Sequence, residues 1–404
     1  MTAYSCLLRN VVMRMPFHFA HLSAGFIAVL VGYTSSAVII FQAAAAAGAS
    51  QAEISSWMWA LGLGMGVTCI GFSLRFREPI ITAWSTPGAA LLVTALAGVP
   101  MSEAIGIFLF SSALILLCGV TGWFDRIMQL VPAGLAAAML GGVLLTFGLN
   151  LFVSAQTQPW LVGVMLVTYL ALRRRLPRYV IPLSLFAGLA VSAGLDLLHF
   201  EQFSWQMAAP VLMMPSFSIT SLIGIGIPLF VVTMASQNVP GIAVLRAHGY
   251  HTKASPLISW TGVTGLLLAP FGGFAFNLAA ISAAVCMGKE VDADPKQRYK
   301  AAVWAGVFYL LMGLFGATVV GLFAALPSEL VMAIAGLALL GTIGSSLTVA
   351  MANEQERDAS LLTFMITASG VALFGIGSAF WGLVIGGIVH WLNLRNSLTD
   401  SGKP

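Results

Sequence analysis

Long apolar runs separated by short polar breaks dominate this chain. A helix needs about 20 apolar residues to cross the hydrocarbon core of a bilayer. Breaks at charged residues, prolines and glycines divide the chain into fourteen runs. The first seven cover 22–47, 56–74, 80–97, 103–122, 131–153, 158–172 and 179–197. The second seven cover 219–245, 255–271, 274–288, 301–324, 329–349, 360–377 and 379–394. The pattern predicts an all-α polytopic membrane protein with fourteen transmembrane spans, numbered here in chain order.

The basic residues lie in alternate connections between these spans. Lys and Arg are absent from the connections 48–55, 98–102, 154–157, 198–218 and 325–328. The basic residues of the other connections and of the two ends are Arg9, Arg14, Arg75, Arg77, Arg126, Arg173, Arg174, Arg175, Arg178, Arg246, Lys253, Lys289, Lys296, Arg298, Lys300, Arg357, Arg395 and Lys403. Cytoplasmic loops of membrane proteins carry the excess of Lys and Arg. Both termini are therefore expected in the cytoplasm.

Composition excludes several classes of protein. The chain is 59% hydrophobic and 8% charged, whereas soluble domains carry about 25% charged residues. The net charge of +4 follows from membrane topology, so no nucleic-acid partner is expected. The four cysteines have no metal or redox spacing, and no cofactor or metal is expected. No Walker A loop, HExxH motif or convergent set of nucleophile and base is found, so the chain is not expected to be an enzyme.

Weak internal similarity relates the two halves of the chain. Tyr33 to Ser36 in span 1 resembles Thr233 to Asn238 in span 8. Pro132 in span 5 corresponds to Pro327 in span 12. Residues 88–90 in span 3 match 278–280 in span 10. Seven spans per half give the halves opposite orientations. The chain is thus predicted to contain two inverted repeats, 1–200 and 201–404. Inverted repeats are typical of secondary transporters, whose sites lie at discontinuous helices near the membrane midplane.

Spans 3 and 10 are short and contain helix breakers. In span 3, Ser85-Thr86-Pro87-Gly88 predicts an extended segment over 80–85 and a half-helix that begins near Thr86 or Pro87, with Ser85 or Thr86 as N-cap. In span 10, Asn277 follows a breaker-rich stretch and is predicted to cap a second half-helix at the position equivalent to Pro87. Two facing half-helix amino termini would form an anion site. A tolerated kink is the alternative for span 3.

Further polar and aromatic residues surround these breaks. Gln237 and Asn238 in span 8, with Tyr33 and Ser35 in span 1, either face the substrate or bond neighbouring helices. Three aromatic side chains are predicted either to pack against helices and lipid or to contact an apolar substrate body. They are Trp84, Phe274 and Phe276.

Charged residues are absent from the predicted membrane midplane. Glu78, Glu103, Asp125, Glu329 and Glu354 all fall at span ends, and no proton-carrying side chain can be named. Several functions stay open from the residues alone: a transporter of an anion or a nucleobase, or an uncoupled anion channel or facilitator.

Four segments of the chain resemble the benzoate:proton symporter family of bacterial inner membranes. They are AGFIAVLVGYTSSAVIIFQ at 24–42, TAWSTPGAAL at 82–91, VTMASQNVPGIAVL at 232–245 and GIGSAFWGL at 375–383. The resemblance runs from about residue 20 to 395. It implies the seven-plus-seven fold shared with nucleobase and sulfate transporters, with a core domain of spans 1–4 and 8–11 (about 20–124 and 219–325) and a gate domain of spans 5–7 and 12–14 (about 128–200 and 327–395).

The resemblance also implies a function and a binding site. It indicates import of benzoate or a similar small aromatic carboxylate together with a proton, across the bacterial inner membrane, by a multi-pass protein that could form a homodimer. Nucleobase members of this fold carry acidic residues in spans 8 and 10, where this chain has Gln237, Asn238 and Asn277; this favours an anion. The predicted substrate-binding residues are Tyr33, Ser35, Trp84, Ser85, Thr86, Gly88, Gln237, Asn238, Phe276 and Asn277.

Overall fold

The structure is a computed structural model that describes residues 19–124, 132–176, 179–198, 205–289, 291–373 and 378–400. Within these ranges the side chains of Phe19, Ser35, Ala247, Ala324 and 394–400 are not described. Part of the segment 375–383, which carries the family resemblance, lies outside the described residues.

Helices account for most of the described chain. In the first half they are α1 (Phe19–Ala46), α2 (Gln51–Phe76), α3 (Thr86–Ala95), α4 (Met101–Thr121), α5 (Ala133–Thr157), α6 (Pro159–Leu172) and α7 (Val180–Gly194). In the second half they are α8 (Ile219–Arg246), α9 (Ala254–Leu268), α10 (Ile281–Met287), α11 (Tyr299–Leu314), α12 (Gly316–Ala324), α13 (Ser328–Met351), α14 (Arg357–Ser369) and α15 (Ser378–Asp400).

Each of the fourteen predicted spans overlaps at least one of these helices. Among the described residues, 6 helices are long and apolar enough to cross a membrane, or up to 8 if each of two bent pairs is one span. One bent pair is α11 and α12, which meet at 71°. The protein is therefore a multi-pass membrane protein, and the count of fourteen crossings stays a prediction.

Spans 3 and 10 are broken as predicted, and their extended segments form a small sheet. Strand β1 covers Thr82–Trp84 and strand β2 covers Phe276–Leu278. The two strands pair antiparallel, with Thr82 opposite Leu278, Ala83 opposite Asn277 and Trp84 opposite Phe276. A further bond from the Ala279 N–H to the Ile81 carbonyl extends the ladder at 2.9 Å. Inverted repeats are expected to give an antiparallel pair, because equivalent strands of two halves with opposite orientations run in opposite directions.

Helix α8 contains two π-helical turns, at Leu222–Gly226 and Met234–Asn238. A π-turn inserts one residue into the α-helical repeat and is frequent at functional sites. The second turn coincides with the polar stretch of span 8. Immediately after it, Gly241 lies against β2, where a Cβ would stand 2.8 Å from the Leu278 carbonyl oxygen. The missing side chain lets the two backbones touch.

The most extensive helix contacts fall into two sets. In the first set α2 packs on α11, α4 on α9, and α1 on α3 and α11. In the second set α5 packs on α13 and α14, and α14 packs on α15. Helix α8 packs on α3 and α4 of the first set, and α7 packs on α13 of the second. The two sets touch where α1 meets α7 and α13, where α3 meets α5, and where α8 meets α5 and α15. The helices named in each set fall within the core and gate domains that the resemblance implies, and the assignment of domains stays a prediction.

The connection between the two halves lies across the ends of the first set. Its residues 205–218 have no regular secondary structure. Its amides donate to partners on different helices: Ala208 N–H to the Leu314 carbonyl (2.8 Å), Val211 N–H to Ser56 Oγ (2.9 Å) and Ser216 N–H to the Ser102 carbonyl (2.9 Å). The segment therefore holds α2, α4 and α11 together at one end.

Candidate functional site

The β1–β2 ladder brings the two breaks of the chain into contact. Residues nearly two hundred positions apart in sequence become neighbours, since Ala83 lies opposite Asn277. All six ladder residues except Ala83 are buried. Irregular backbone at membrane depth is tolerated where protein surrounds it or where it lines a cavity. The ladder is therefore the centre around which the candidate site is described.

The start of α3 matches the prediction for span 3. Ser85 is the N-cap, in extended conformation, and its Oγ accepts from the Gly88 N–H at 3.0 Å. Pro87 stands in the first turn of the helix, where its missing N–H removes no intrahelical bond. Because the Gly88 amide is engaged and Pro87 has none, the Thr86 amide is the first-turn donor that α3 leaves available. The array of free N–H groups predicted over Thr86–Gly88 is thus reduced to one.

The predicted cap of the second half-helix is wrong. Asn277 lies inside β2, and α10 begins four residues later, with Ala280 at its N-cap position and no side-chain capping bond. The ladder pairs Asn277 with Ala83 rather than placing it as the counterpart of Pro87. The sequence match of 88–90 with 278–280 is also wrong, because Gly88 is helical whereas Leu278 is in a strand. The match arose from small residues that recur throughout the chain.

Asn277 nevertheless carries a distinctive polar group. Its side chain is fully buried. The amide Nδ2 donates to the Ala275 carbonyl at 2.9 Å, while Oδ1 has no hydrogen-bond partner. A buried acceptor without a donor costs roughly 1–3 kcal/mol, so such an atom in a native fold calls for a reason.

Asn238, by contrast, has both ends of its amide engaged. Its Oδ1 accepts from the Leu278 N–H at 2.9 Å, and its Nδ2 lies 3.1 Å from Met234 Sδ. The first bond satisfies the outer edge of β2. Asn238 therefore connects the second π-turn of α8 to the ladder.

The aromatic residues beside the ladder differ in surroundings. The Trp84 indole N–H donates to Ser36 Oγ at 2.8 Å, and its ring meets Tyr33 edge-on at 4.8 Å. The Tyr33 hydroxyl is buried and has no partner. Phe276 instead packs on α2, where a Cβ at Gly64 would stand 2.4 Å from its ring. Phe274 packs on Trp57 and Phe108.

The remaining predicted residues lie on the helices around this centre. Gln237 is half-buried on the second π-turn of α8. Ser35 lies on α1, and its side chain is outside the described part of the structure. Ladder and helices thus bring together Tyr33, Trp84, Ser85, Asn238, Phe276 and Asn277, directly or through one intervening residue.

Three residues near the ladder were not predicted from sequence. Ser36 accepts the Trp84 bond, and the Tyr309 ring lies 6.2 Å from Tyr33. The Thr233 hydroxyl is buried without a partner in α8. Ser36 and Thr233 lie within the two polar stretches that the internal similarity between spans 1 and 8 relates, so that similarity could have pointed to them. Nothing in the local sequence distinguishes Tyr309. Among the described residues, no three His, Cys, Asp or Glu side chains form a metal site.

Solved structures identify the general class of this fold. The transmembrane domain of the cyanobacterial bicarbonate transporter BicA aligns over 92% of this chain and 98% of its own, at a TM-score of 0.56 and 13% identity. Murine Slc26a9, an anion transporter in its inward-facing state, aligns over 95% of this chain and 69% of its own, at 0.60 and 12%. The fold is that of a membrane transporter.

Sequence comparison then assigns the family. The model of the family described as benzoate membrane transport protein matches residues 15–392. The benzoate membrane transport protein of Acinetobacter baylyi is 41% identical over 372 residues, which are 92% of this chain and 94% of that one. Inner membrane protein YdcO of Escherichia coli K12 is 50% identical over 369 residues, 91% and 94% of the two chains. This chain belongs to the benzoate membrane transport family, as its motifs indicated, and this is a family of transporters rather than enzymes.

Proposed function

We propose that this protein imports benzoate, or a similar small aromatic carboxylate, together with a proton across the bacterial inner membrane. Membership of the benzoate membrane transport family supports the substrate class. The observation that carries the location of the site is the β1–β2 ladder, which joins the two broken spans at one place.

The carboxyl group of the substrate would lie at the ladder. The Thr86 amide at the start of α3 is one donor, and the positive end of the α3 dipole favours a carboxyl group there. Ser85 and Gly88 shape this turn through their mutual bond. Gln237 on α8, Ser35 on α1 and the Asn277 amide are the further polar contacts in this proposal.

The aromatic ring of the substrate would pack beside Tyr33 and Trp84. These two rings already contact each other edge-on, and an added ring between α1 and the ladder extends the same packing. Phe276, within β2, packs against Gly64 of α2 and so fixes the ladder on that helix. Asn238 fixes β2 without needing to touch the substrate.

Transport would follow from movement of one packing set against the other. The ladder, α1, α3 and α8 belong to the first set as core, and α5, α13, α14 and α15 belong to the second as gate. Contacts between the sets are less extensive than the helix packing within each set, which favours relative motion.

Uptake by proteoliposomes tests this function. Purified protein with an imposed pH gradient, acidic outside, should accumulate labelled benzoate, and unlabelled aromatic acids should compete whereas nucleobases and sulfate should not. Asn277→Ala and Gln237→Ala should each reduce uptake at least about fivefold, since each removes a polar contact of roughly 1–3 kcal/mol. Gln355→Ala, at an exposed loop position, is the matched control and should retain uptake.

Two results would contradict the proposal in different ways. Equilibration without accumulation, indifferent to the pH gradient, would identify an uncoupled facilitator or channel. Full uptake by both Asn277→Ala and Gln237→Ala would be compatible with benzoate transport but would contradict the location of the binding site at the ladder.

A further inference from the structure

We propose that the coupled proton travels on the substrate itself: the site binds the neutral carboxylic acid, whose O–H donates to Asn277 Oδ1. This inference rests on the proposed function and assigns the proton carrier that the chain's side chains leave open. It makes Asn277 the residue that distinguishes the protonated from the ionised substrate.

The hydrogen bonds of Asn277 fix which of its amide atoms is available. Nδ2 donates to the Ala275 carbonyl at 2.9 Å. Exchanging the two amide atoms would set Oδ1 against that carbonyl oxygen, an acceptor facing an acceptor. The atom left without a partner is therefore Oδ1, which accepts hydrogen bonds and cannot donate.

An ionised carboxylate does not fit such an atom. Both of its oxygens are acceptors, so it would meet Asn277 Oδ1 with like partial charges in a buried place. The neutral acid has one donor and one acceptor. Its hydroxyl can donate to Asn277 Oδ1 while its carbonyl oxygen accepts from an amide such as that of Thr86. Burying the neutral form also avoids the cost of desolvating an anion without a formal counter-charge.

The groups around β2 supply no other proton carrier that titrates near neutral pH. The elements packed on β2 are β1, α2, α9 and the second π-turn of α8. Cys69 on α2 contacts Thr82; Tyr33, Tyr309 and Cys286 lie on neighbouring helices. Tyr and Cys ordinarily titrate near 10 and 8.5. α9 carries no charged side chain, and the first in α8 is Arg246.

One more distant side chain is a rival carrier. His390 lies within α15, and its Nδ1 is buried without a hydrogen-bond partner. A histidine inside an apolar span is a candidate for proton relay. It belongs to the second packing set, away from the ladder, and the experiments below separate its role from that of the substrate.

Benzamide is the probe that separates the two protonation states. It has the shape of benzoic acid, with a carbonyl acceptor and an N–H donor, and it stays neutral across the pH range. In nanodiscs, benzamide should displace labelled benzoate, and its own affinity should not change with pH. The apparent affinity for total benzoate should fall about tenfold per pH unit above the acid's own pKa, because the neutral fraction falls by that factor.

A series of ring-substituted benzoates supplies the second measurement. If the neutral acid binds, more acidic analogues should bind more weakly at a given pH, in proportion to their acidity, and one proton should be taken up per molecule bound. Asn277→Ala should weaken benzamide at least tenfold and flatten the pH dependence of benzoate binding. His390→Gln should leave both unchanged.

The outcomes distinguish this inference from the function on which it rests. If benzoate binds and benzamide does not displace it, the ionised form is the ligand and the inference fails while the function stands. Loss of the pH dependence in His390→Gln also overturns it, by placing the proton on the protein. If benzoate itself neither binds nor is taken up, the proposed function has failed first.

Discussion

Asn277 lies within strand β2 and Asn238 bonds to the same strand from α8, and the hydrogen bonds of the two side chains differ. The Oδ1 atom of Asn238 accepts a hydrogen bond from the Leu278 N–H, whereas the Oδ1 atom of Asn277 has no hydrogen-bond partner. A satisfied amide stabilises the fold, and an unsatisfied one costs stability that ligand binding can recover. At the residue scale, these bonds give Asn238 a structural role in holding β2, and they support the binding role that we propose for Asn277.

Substitution of each asparagine should separate these roles. Asn238→Ala leaves the buried Leu278 N–H without an acceptor, so it should lower stability by roughly 1–3 kcal/mol. Asn277→Ala removes an unpaired acceptor and a single donor bond, and should change stability less. Thermal unfolding of both variants in detergent measures this. An equal loss in both would contradict the assignment, as would unchanged stability in Asn238→Ala.

Residue-level prediction from sequence succeeded where the chemistry is local. Ser85, Thr86 and Pro87 carry cap and helix-start signals at three consecutive positions, and the structure confirms Ser85 as the N-cap, which accepts from the Gly88 N–H. Asn277 was misplaced because its role depends on the strand register with Ala83, which local sequence does not specify. Trp84 and Ser36 are joined by tertiary packing alone.

At the scale of the elements, small residues let helices of the first packing set cross closely. Gly62 on α2 faces Gly313 on α11, and a Cβ at Gly62 would stand 2.4 Å from the Gly313 Cα. Close backbone approach of this kind drives helix association in membranes, where no hydrophobic effect separates helix from lipid.

Enlarging this contact should therefore destabilise the protein. Gly62→Val forces α2 and α11 apart and should cost at least about 1–3 kcal/mol, as overpacking does. Gly71→Val, on the same helix at an exposed position with no atom within 4 Å of its Cβ, is the control for helix propensity and should be near neutral. Monodispersity and melting temperature in detergent report the difference. Similar losses in the two variants would refute the close crossing.

The element boundaries were largely predictable, while the departures from regular helix were not. Apolar runs predicted α2 and α4 to within a few residues at each end, because hydropathy and breakers act locally. The π-turns of α8 could not be predicted from the sequence; the second lies where Asn238 and Gly241 both contact β2, a tertiary contact that no local pattern specifies.

At the scale of the whole molecule, the proposed movement of the first packing set relative to the second can be measured at the contact between them. Gln42 on α1 lies against Met332 on α13, with Nε2 to Sδ at 3.5 Å. The pair crosses the boundary between the sets. Thr157 and Glu329 bond at 3.2 Å between α5 and α13, within the second set.

Cross-linking these two pairs should have opposite effects on transport. Cysteines at Gln42 and Met332, joined by a short cross-linker, should arrest benzoate uptake, because the proposed transport needs the sets to move relative to each other. Cysteines at Thr157 and Glu329, joined in the same way, should leave uptake intact. Cleaving the cross-link should restore the first variant. Undiminished uptake by the cross-linked Gln42 and Met332 pair would rule out movement at this boundary.

The β1–β2 ladder limits how the candidate site can open. Its backbone hydrogen bonds lie in the protein interior, where bonds broken without replacement cost several kcal/mol each. The ladder thus joins spans 3 and 10 near the start of each. A substrate bound at the ladder is therefore not released by separating spans 3 and 10. In the proposed transport it moves together with both spans, and access to it changes as the second packing set moves relative to the first.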